Sequence, residues 1–415
     1  MSKARKDAML IAENALESVL PEASVKKALC RLDISGRVVV VAVGKAAWKM
    51  AHAARDSLEG CFVEGIVITK YGHCFGDIDG IELFEAGHPI PDENSVIATE
   101  RALRMVGNLT PDDTVLFLLS GGGSALFEKP AEGISLADIA GVTEQLLCCG
   151  ADITEINTIR KRLSSVKGGK FAEEALPARI VSLVLSDVVG DRLDIIASGP
   201  ACADTTTTEE AVQIVEKYGL KVKPCIMNSL RVETPKSLTN IVSEIIGSVA
   251  TVCNNALEIA RSMGYEAQLL TTTLDCEARE AGRFMAAIAR EIASNARPLR
   301  RPCAIIFGGE TVVRITGCGK GGRNQELALA ASRGLQGIGN VALLSIGTDG
   351  TDGPTDAAGG LVDGDSYDRL LSLGVDLHET LKNNDSYGAL SRIGDLVKTG
   401  PTGTNVNDLG ILLLG

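Results

Sequence analysis

Between Arg37 and Asp187 the chain repeats one pattern, a short aliphatic run followed by a helix-like segment, and this alternation restricts the fold more than any other feature. The runs are Val38 to Val43, Gly65 to Thr69, Glu82 to Ala86, Thr114 to Leu119 and Ile180 to Leu185. Strands lacking polar alternation are buried on both faces, so the pattern predicts βαβ units and a parallel sheet covered by helices. Ligands of such sheets bind beyond the carboxyl ends of the strands. The positions of interest therefore follow directly after each run: Gly44-Lys45, Lys70, Gly87-His88, Ser120 to Ser124 and Ser186-Asp187.

A chain of 415 residues exceeds what one core fills and predicts two domains. The alternation weakens between Thr205 and Asn240, around a threonine run, Pro224 and Pro235, which sets the domains at 1–235 and 236–415. Beyond this, Ser248 to Val252 reads as a strand leading into Asn255 to Met263, and Ala267 to Leu270 as one leading into Glu277 to Ile292. Ala304 to Phe307 and Thr311 to Ile315 are separated only by Gly308-Gly309-Glu310. So short a link joins antiparallel strands, hence a mixed sheet in the second domain. Aromatics make up only 3% of the chain, which suits close-packed helix-on-sheet layers, and the fold class is α/β throughout.

The formal net charge of −12 sets up a field that repels nucleic acid and anionic membranes, so neither is an expected partner. The eleven cysteines show no CxxC spacing and fall mostly in apolar runs, as reduced core thiols do, which points to the cytoplasm. Ala8, Ile11, Ala15 and Val19 recur at helical spacing, but Asp7, Glu13 and Glu17 among them do not suit a secretory or transit peptide. No stretch is long and apolar enough to span a bilayer. Oligomeric state is not legible, and a homodimer is compatible with the sequence.

Two glycine-rich segments carry the candidate chemistry. Ser120-Gly121-Gly122-Gly123-Ser124 follows the fourth run, and glycines without Cβ let backbone N–H groups approach an oxyanion at a helix start; a tight turn alone also explains them. Gly317-Cys318-Gly319-Lys320-Gly321-Gly322-Arg323 fits G-x-G-x-x-G, yet the run before it reads as half of a hairpin, and Lys320 and Arg323 suit phosphoryl oxygens better than a dinucleotide turn does. The P-loop pattern GxxxxGK[ST] is absent. Lys45 opens a helix, where a cation is mismatched to the dipole unless an anion shares the site. Arg160 to Lys170 supplies five cations in eleven residues, either a solvated face or an anion site. Asp187 ends the fifth run, and Asp349 and Asp352 follow Val341 to Ile346; such turns suit Mg²⁺ or are simple Asx turns. The latter loop is no EF-hand, since Gly360 stands twelfth from Asp349.

An ordered set of segments resembles the type II glycerate kinases, the glycerate 2-kinase family built from DUF4147 and MOFRL domains. It includes Val43-Gly-Lys45-Ala, Gly87-His-Pro-Ile-Pro-Asp92, Leu119-Ser-Gly-Gly-Gly-Ser-Ala125, Ile156-Asn157 through Lys170, Ser186-Asp187 with Ala197-Ser-Gly-Pro200, Gly308-Gly-Glu310, Gly322-Arg-Asn-Gln-Glu326, Gly347 to Pro354 and Thr402 to Asp408. The resemblance implies a Rossmann-like N-terminal domain, a C-terminal MOFRL domain, and an active site between the two that uses ATP and Mg²⁺ to convert D-glycerate to 2-phosphoglycerate. By family pattern Lys45 and Arg323 are the catalytic cations. The loops Ser120 to Ser124 and Gly319, Gly321 and Gly322 hold phosphates, Asn157, Lys161 and Lys167 hold substrate, and Asp187, Asp349 and Asp352 suit the metal. One departure from the family is Cys276, standing before Glu277 where glycine is usual. The alternative function is an NAD(P)-dependent hydroxypyruvate or tartronate semialdehyde reductase.

Overall fold

Every residue from Val38 to Val43 is fully buried, and the strand they form, β1 (Arg37–Val43), lies inside its sheet. It pairs in parallel with β2 (Phe62–Lys70) on one side and β4 (Thr114–Leu119) on the other. Two more parallel pairings add β3 (Ile81–Ala86) to β2 and β5 (Arg179–Leu185) to β4, and β6 (Ile241–Gly247) lies beside β5. The order β3-β2-β1-β4-β5-β6 is that of a doubly wound Rossmann sheet, with two apolar cores on its faces. Burying a valine contributes roughly 1.5–3 kcal/mol, so a strand covered on both faces holds its sheet without help from propensity.

This computed structural model describes residues 2–34 and 36–415. Contacts divide the chain into Pro21–Ile246 and a second unit made of Gly247–Gly415 together with the chain up to Leu20. The sequence expectation of 1–235 and 236–415 differs in two respects. The last strand of the first sheet lies beyond Pro235, and the helix Lys3–Glu17 packs Ala8, Ile11 and Ala15 into the core of the second unit.

The second sheet runs β11 (Leu396–Val397), β10 (Gly359–Asp363), β9 (Val341–Gly347), β12 (Asp408–Leu414), β8 (Cys303–Gly309), β7 (Glu266–Leu274). Only β7 and β8 pair in parallel there, so the sheet is mixed, as expected. The reason differs from the expected one. Thr311 to Ile315 forms no strand; after Gly309 the chain turns along the end of β7, with Glu310 N bonded to Leu274 O (2.7 Å) and Val312 N to Cys276 O (3.1 Å), and leaves Val312 and Ile315 exposed. The antiparallel partner of β8 is the C-terminal β12.

Ser248 to Val252 is likewise helical. Ser248 caps the helix Val249–Ser262, accepting from Thr251 N, and Val249, Val252, Cys253, Ala256 and Ala260 bury one face at helical spacing. The cysteines are also not mainly core thiols: Cys253 and Cys303 are buried, whereas Cys30, Cys148, Cys149, Cys276 and Cys318 are exposed, and all eleven are free. No helix among the described residues is long and apolar enough to cross a membrane.

Candidate active site

At the carboxyl edge of the first sheet, the turns after β1 and β4 are built as one piece. Gly44 has φ +120°, and a Cβ there would fall 2.2 Å from Ser120 Oγ, so only glycine lets the two turns touch. Ser120 is buried, its Oγ accepting from Ala46 N (3.1 Å), and Lys45 N donates to Gly121 O (2.9 Å). Ser120 is therefore a tie between turns with little hydroxyl surface left for a ligand. Lys45 is half-buried, and its Nζ makes no ion pair or hydrogen bond with a described residue.

Gly122, with φ +91°, precedes Gly123–Leu126, a single helical turn. So short a helix has almost no dipole, so the positive potential expected of a helix N-terminus has to come from side chains. Gly121 abuts the Asp187 carboxylate, since a Cβ on it would fall 2.2 Å from Oδ2, and Gly122 lies under His88, whose Cδ2 would be 2.9 Å from a Cβ. Ser124 is half-exposed, and its carbonyl accepts from Arg160 Nη2 (3.2 Å). Burial lowers the His88 pKa below its ordinary value, helped by Lys45, Lys70 and His73.

The basic segment is not a free anion site. Lys161 is buried against Asp204 (3.0 Å), and Lys167 against Glu128 (2.8 Å) while donating to Phe127 O (2.9 Å). Burial still pushes the Lys167 pKa down to about 8. Arg162 bonds Thr206, and Lys170 donates to the carbonyls of Lys161 and Ser164. Asn157 is buried as well, accepting from Ser198 Oγ (2.8 Å). The charges that read as a substrate subsite thus hold the helix Ile153–Leu163 and the turn after it in place, and Lys161 and Lys167 each have a carboxylate partner within the fold.

In the second unit, the antiparallel course of β12 sets its first residue, Asp408, between Gly309 of β8 and Gly347 of β9. Arg323, first residue of the helix Arg323–Leu335, reaches it with two bonds, Nε to Oδ2 (2.6 Å) and Nη2 to Oδ1 (3.0 Å), and Nη1 meets Glu310 (2.7 Å). The two carboxylates raise the arginine pKa, while burial pushes Asp408 up to about 6 against the pull of Arg323. Glu310 and Asp408 both lie in segments that carry the family resemblance, but the sequence assigns them no role, because strand order is what brings them to Arg323.

Asp352 has both oxygens committed. Oδ1 accepts from Asn324 N (3.1 Å) and Oδ2 from Gln325 N (2.9 Å), so it caps the helix Arg323–Leu335 from outside. The loop glycines are likewise demanded by protein: a Cβ on Gly319, Gly321 or Gly322 would fall within 2.6 Å of Asn383, Ser386 or Asp352 respectively. Their expected phosphate-binding role is not needed to explain them. Asp349 makes the alternative Asx turn, its Oδ1 accepting from Thr351 N (2.9 Å). Glu277, beside the unusual Cys276, pairs with Arg279 (2.9 Å).

The three expected metal ligands fall in two units, Asp187 in the first and Asp349 and Asp352 in the second, and no group of three ligating side chains occurs among the described residues. A cation carried in on nucleotide phosphates needs one or two carboxylates, and Asp187, against the glycine loop, suits that demand.

Residues 7–231 match the family model described as a domain of unknown function, DUF4147, and residues 303–408 match the MOFRL family. The chain is 55% identical to the D-glycerate 2-kinase of Thermotoga maritima, over 99% of this chain and 98% of that protein. It is 43% identical to a putative hydroxypyruvate reductase of Agrobacterium vitis, over 92% and 88%. The crystal structure of a glycerate kinase from Thermotoga maritima superposes with a TM-score of 0.97 over 99% of each chain, at 55% identity.

Proposed function

The chain belongs to the type II glycerate kinases, the glycerate 2-kinase family, and on that premise we propose that it transfers the γ-phosphoryl group of ATP to the C2 hydroxyl of D-glycerate, giving 2-phosphoglycerate. The observation that carries the reading is Lys45, a cation at the carboxyl edge of a parallel sheet, beside a glycine loop, with no internal counter-ion among the described residues. Lys161 and Lys167, by contrast, are neutralised within the fold.

Phosphoryl transfer asks a protein for alignment and charge neutralisation more than covalent help. Lys45 acts on the phosphoryl oxygens over the loop Ser120 to Ser124, where Gly121 to Gly123 keep side chains out of the way. Asp187 is the carboxylate that would hold a Mg²⁺ entering with the nucleotide, and such an ion would supply further charge neutralisation. Arg323, held bidentately by Asp408 and half-exposed, is a preorganised cation for charge that develops in the transition state. Lys70, also without an internal counter-ion among the described residues, takes the glycerate carboxylate, the role first read into Lys161 and Lys167.

The reductase alternative has little to stand on at the first strand turn, where Gly44-Lys45-Ala46-Ala47 has no glycine fingerprint and Lys45 takes the place of a pyrophosphate approach. Incubation with ATP, Mg²⁺ and D-glycerate followed by phosphorus NMR tests the proposal. A 2-phosphoglycerate signal is expected; 3-phosphoglycerate would overturn the regiochemistry, and no phosphorylated product, with NADH binding instead, would restore the reductase. Lys45→Met and Arg323→Met should each lower kcat at least ~10²-fold while leaving the protein folded.

A further inference from the structure

We propose that His88 is the general base of the reaction, accepting the proton of the attacking glycerate hydroxyl at its imidazole. The inference rests on the glycerate kinase reading and deepens it. His88 follows β3 at the carboxyl edge of the sheet, and its ring lies on Gly122, so close that a Cβ there would sit 2.9 Å from Cδ2 and 3.0 Å from Nε2, with Lys45 Cε at 3.5 Å from the same point. Gly122 is thus glycine partly to seat this ring, whatever else the loop does.

The imidazole makes no hydrogen bond or ion pair with a described residue, although it is half-buried. A structural histidine in such a place normally ties down a backbone group, as His73 does through Nδ1 to Lys45 O (3.2 Å). His88 instead keeps its nitrogens unengaged beside the proposed catalytic lysine. Lys45 after β1, Lys70 at the end of β2 and His73 in the following loop oppose a second positive charge on it, while the carboxylate placed on the glycine loop is Asp187, against the neighbouring Gly121. Together with burial those three groups keep it neutral, hence able to accept a proton, at pH 7.

In the step, the bond between the γ-phosphorus and the β,γ-bridging oxygen of ATP breaks as the C2 oxygen of glycerate bonds to that phosphorus. The hydroxyl proton passes to His88 and from there to solvent, and ADP leaves. Nothing is oxidised or reduced, and no further reactant is needed. A positioned base contributes typically 10²- to 10⁴-fold.

The test measures kcat against pH at saturating Mg²⁺, ATP and glycerate for the wild type, His88→Gln and His73→Gln, with ATP affinity and thermal melting followed in parallel. Wild-type kcat should fall on the acid side with an apparent pKa below ~6.5, the ordinary histidine value. His88→Gln should lose at least ~10² in kcat and lose that acid limb, with ATP affinity nearly unchanged. The limb should survive in His73→Gln. Should His88→Gln fail to fold, His88→Asn replaces it. A His88 variant that keeps its rate, or one that slows but keeps the limb, overturns the base assignment and leaves the kinase reading standing. A wild type that makes no phosphoglycerate at any pH overturns both.

Discussion

Breaking the Lys167–Glu128 pair separates two explanations for a lysine that sequence patterning assigns to substrate. Both side chains are fully buried, so Lys167→Met takes the paired ammonium from the Glu128 carboxylate and leaves it only the more distant charges of Arg160 and Lys170, and breaking such a pair costs about 3–5 kcal/mol. The expected result is a large fall in melting temperature with KM for glycerate unchanged in whatever protein remains folded. The double variant Lys167→Met/Glu128→Leu should recover much of the stability, because an apolar pair of similar volume escapes the desolvation cost. A stable Lys167→Met enzyme with a KM raised tenfold would return Lys167 to the substrate. Charge type was legible here and partner was not: five cations in eleven residues look alike in sequence, and Asp204 and Glu128, which neutralise two of them, lie 43 and 39 residues away. Lys45 was legible because its strand and its turn are contiguous. Asp408 was not, because a bidentate partner 85 residues downstream leaves no local mark beside Arg323.

Elements whose residues bury themselves locally were read well, and those defined by a distant partner were not. The runs of the first sheet emerged within a few residues of their observed bounds; β1, β4 and β5 are aliphatic and buried on both faces, whereas the edge strand β3, with Glu82 and Glu85, is only half-buried. Thr311 to Ile315 has the composition of a strand, but the edge it needs is taken by β12 from the far end of the chain. Ser248 to Val252 misled in the opposite direction, its β-branched residues being the first turn of a helix that Ser248 caps. The cap supplied by Asp352 carries a prediction at this scale. Asp352→Ala removes acceptors from the N–H groups of Asn324 and Gln325 in the first turn of the helix that bears Arg323, and should cost roughly 1–3 kcal/mol. If Asp352 instead held Mg²⁺, the variant would melt like the wild type while needing far more Mg²⁺ for half-maximal rate, so a magnesium titration beside a melting curve decides between cap and ligand.

The division of the molecule was the least legible level, because the chain crosses between units twice. A composition shift near Pro235 marks a loop, whereas the contacts change allegiance only at the end of β6, after Ile246, and the chain up to Leu20 belongs with Gly247–Gly415. What ties the N-terminal helix there is specific: Arg5 bridges Asp363 (2.9 Å) and Asp395 (2.8 Å), Thr404 Oγ1 donates to Val19 O (3.1 Å), and Ile11 and Ala15 are fully buried against the core of that unit. Each unit has cores of its own, so residues 21–246 should fold alone and melt cooperatively. Residues 247–415 alone should not, since loss of the helix bares the apolar face over β9 and β12 and leaves Asp363 and Asp395 with Arg369 but without Arg5. Adding a peptide of residues 1–20, or fusing it by a flexible linker, should restore a cooperative transition. In the intact chain, Ile11→Ala should cost about 2–5 kcal/mol, and hydrogen exchange should rise in β9 and β12 before it rises in β1 and β4. Uniform loosening of both sheets, or a stable 247–415 fragment, would mean that the N-terminal helix rests on the second unit without being part of its core.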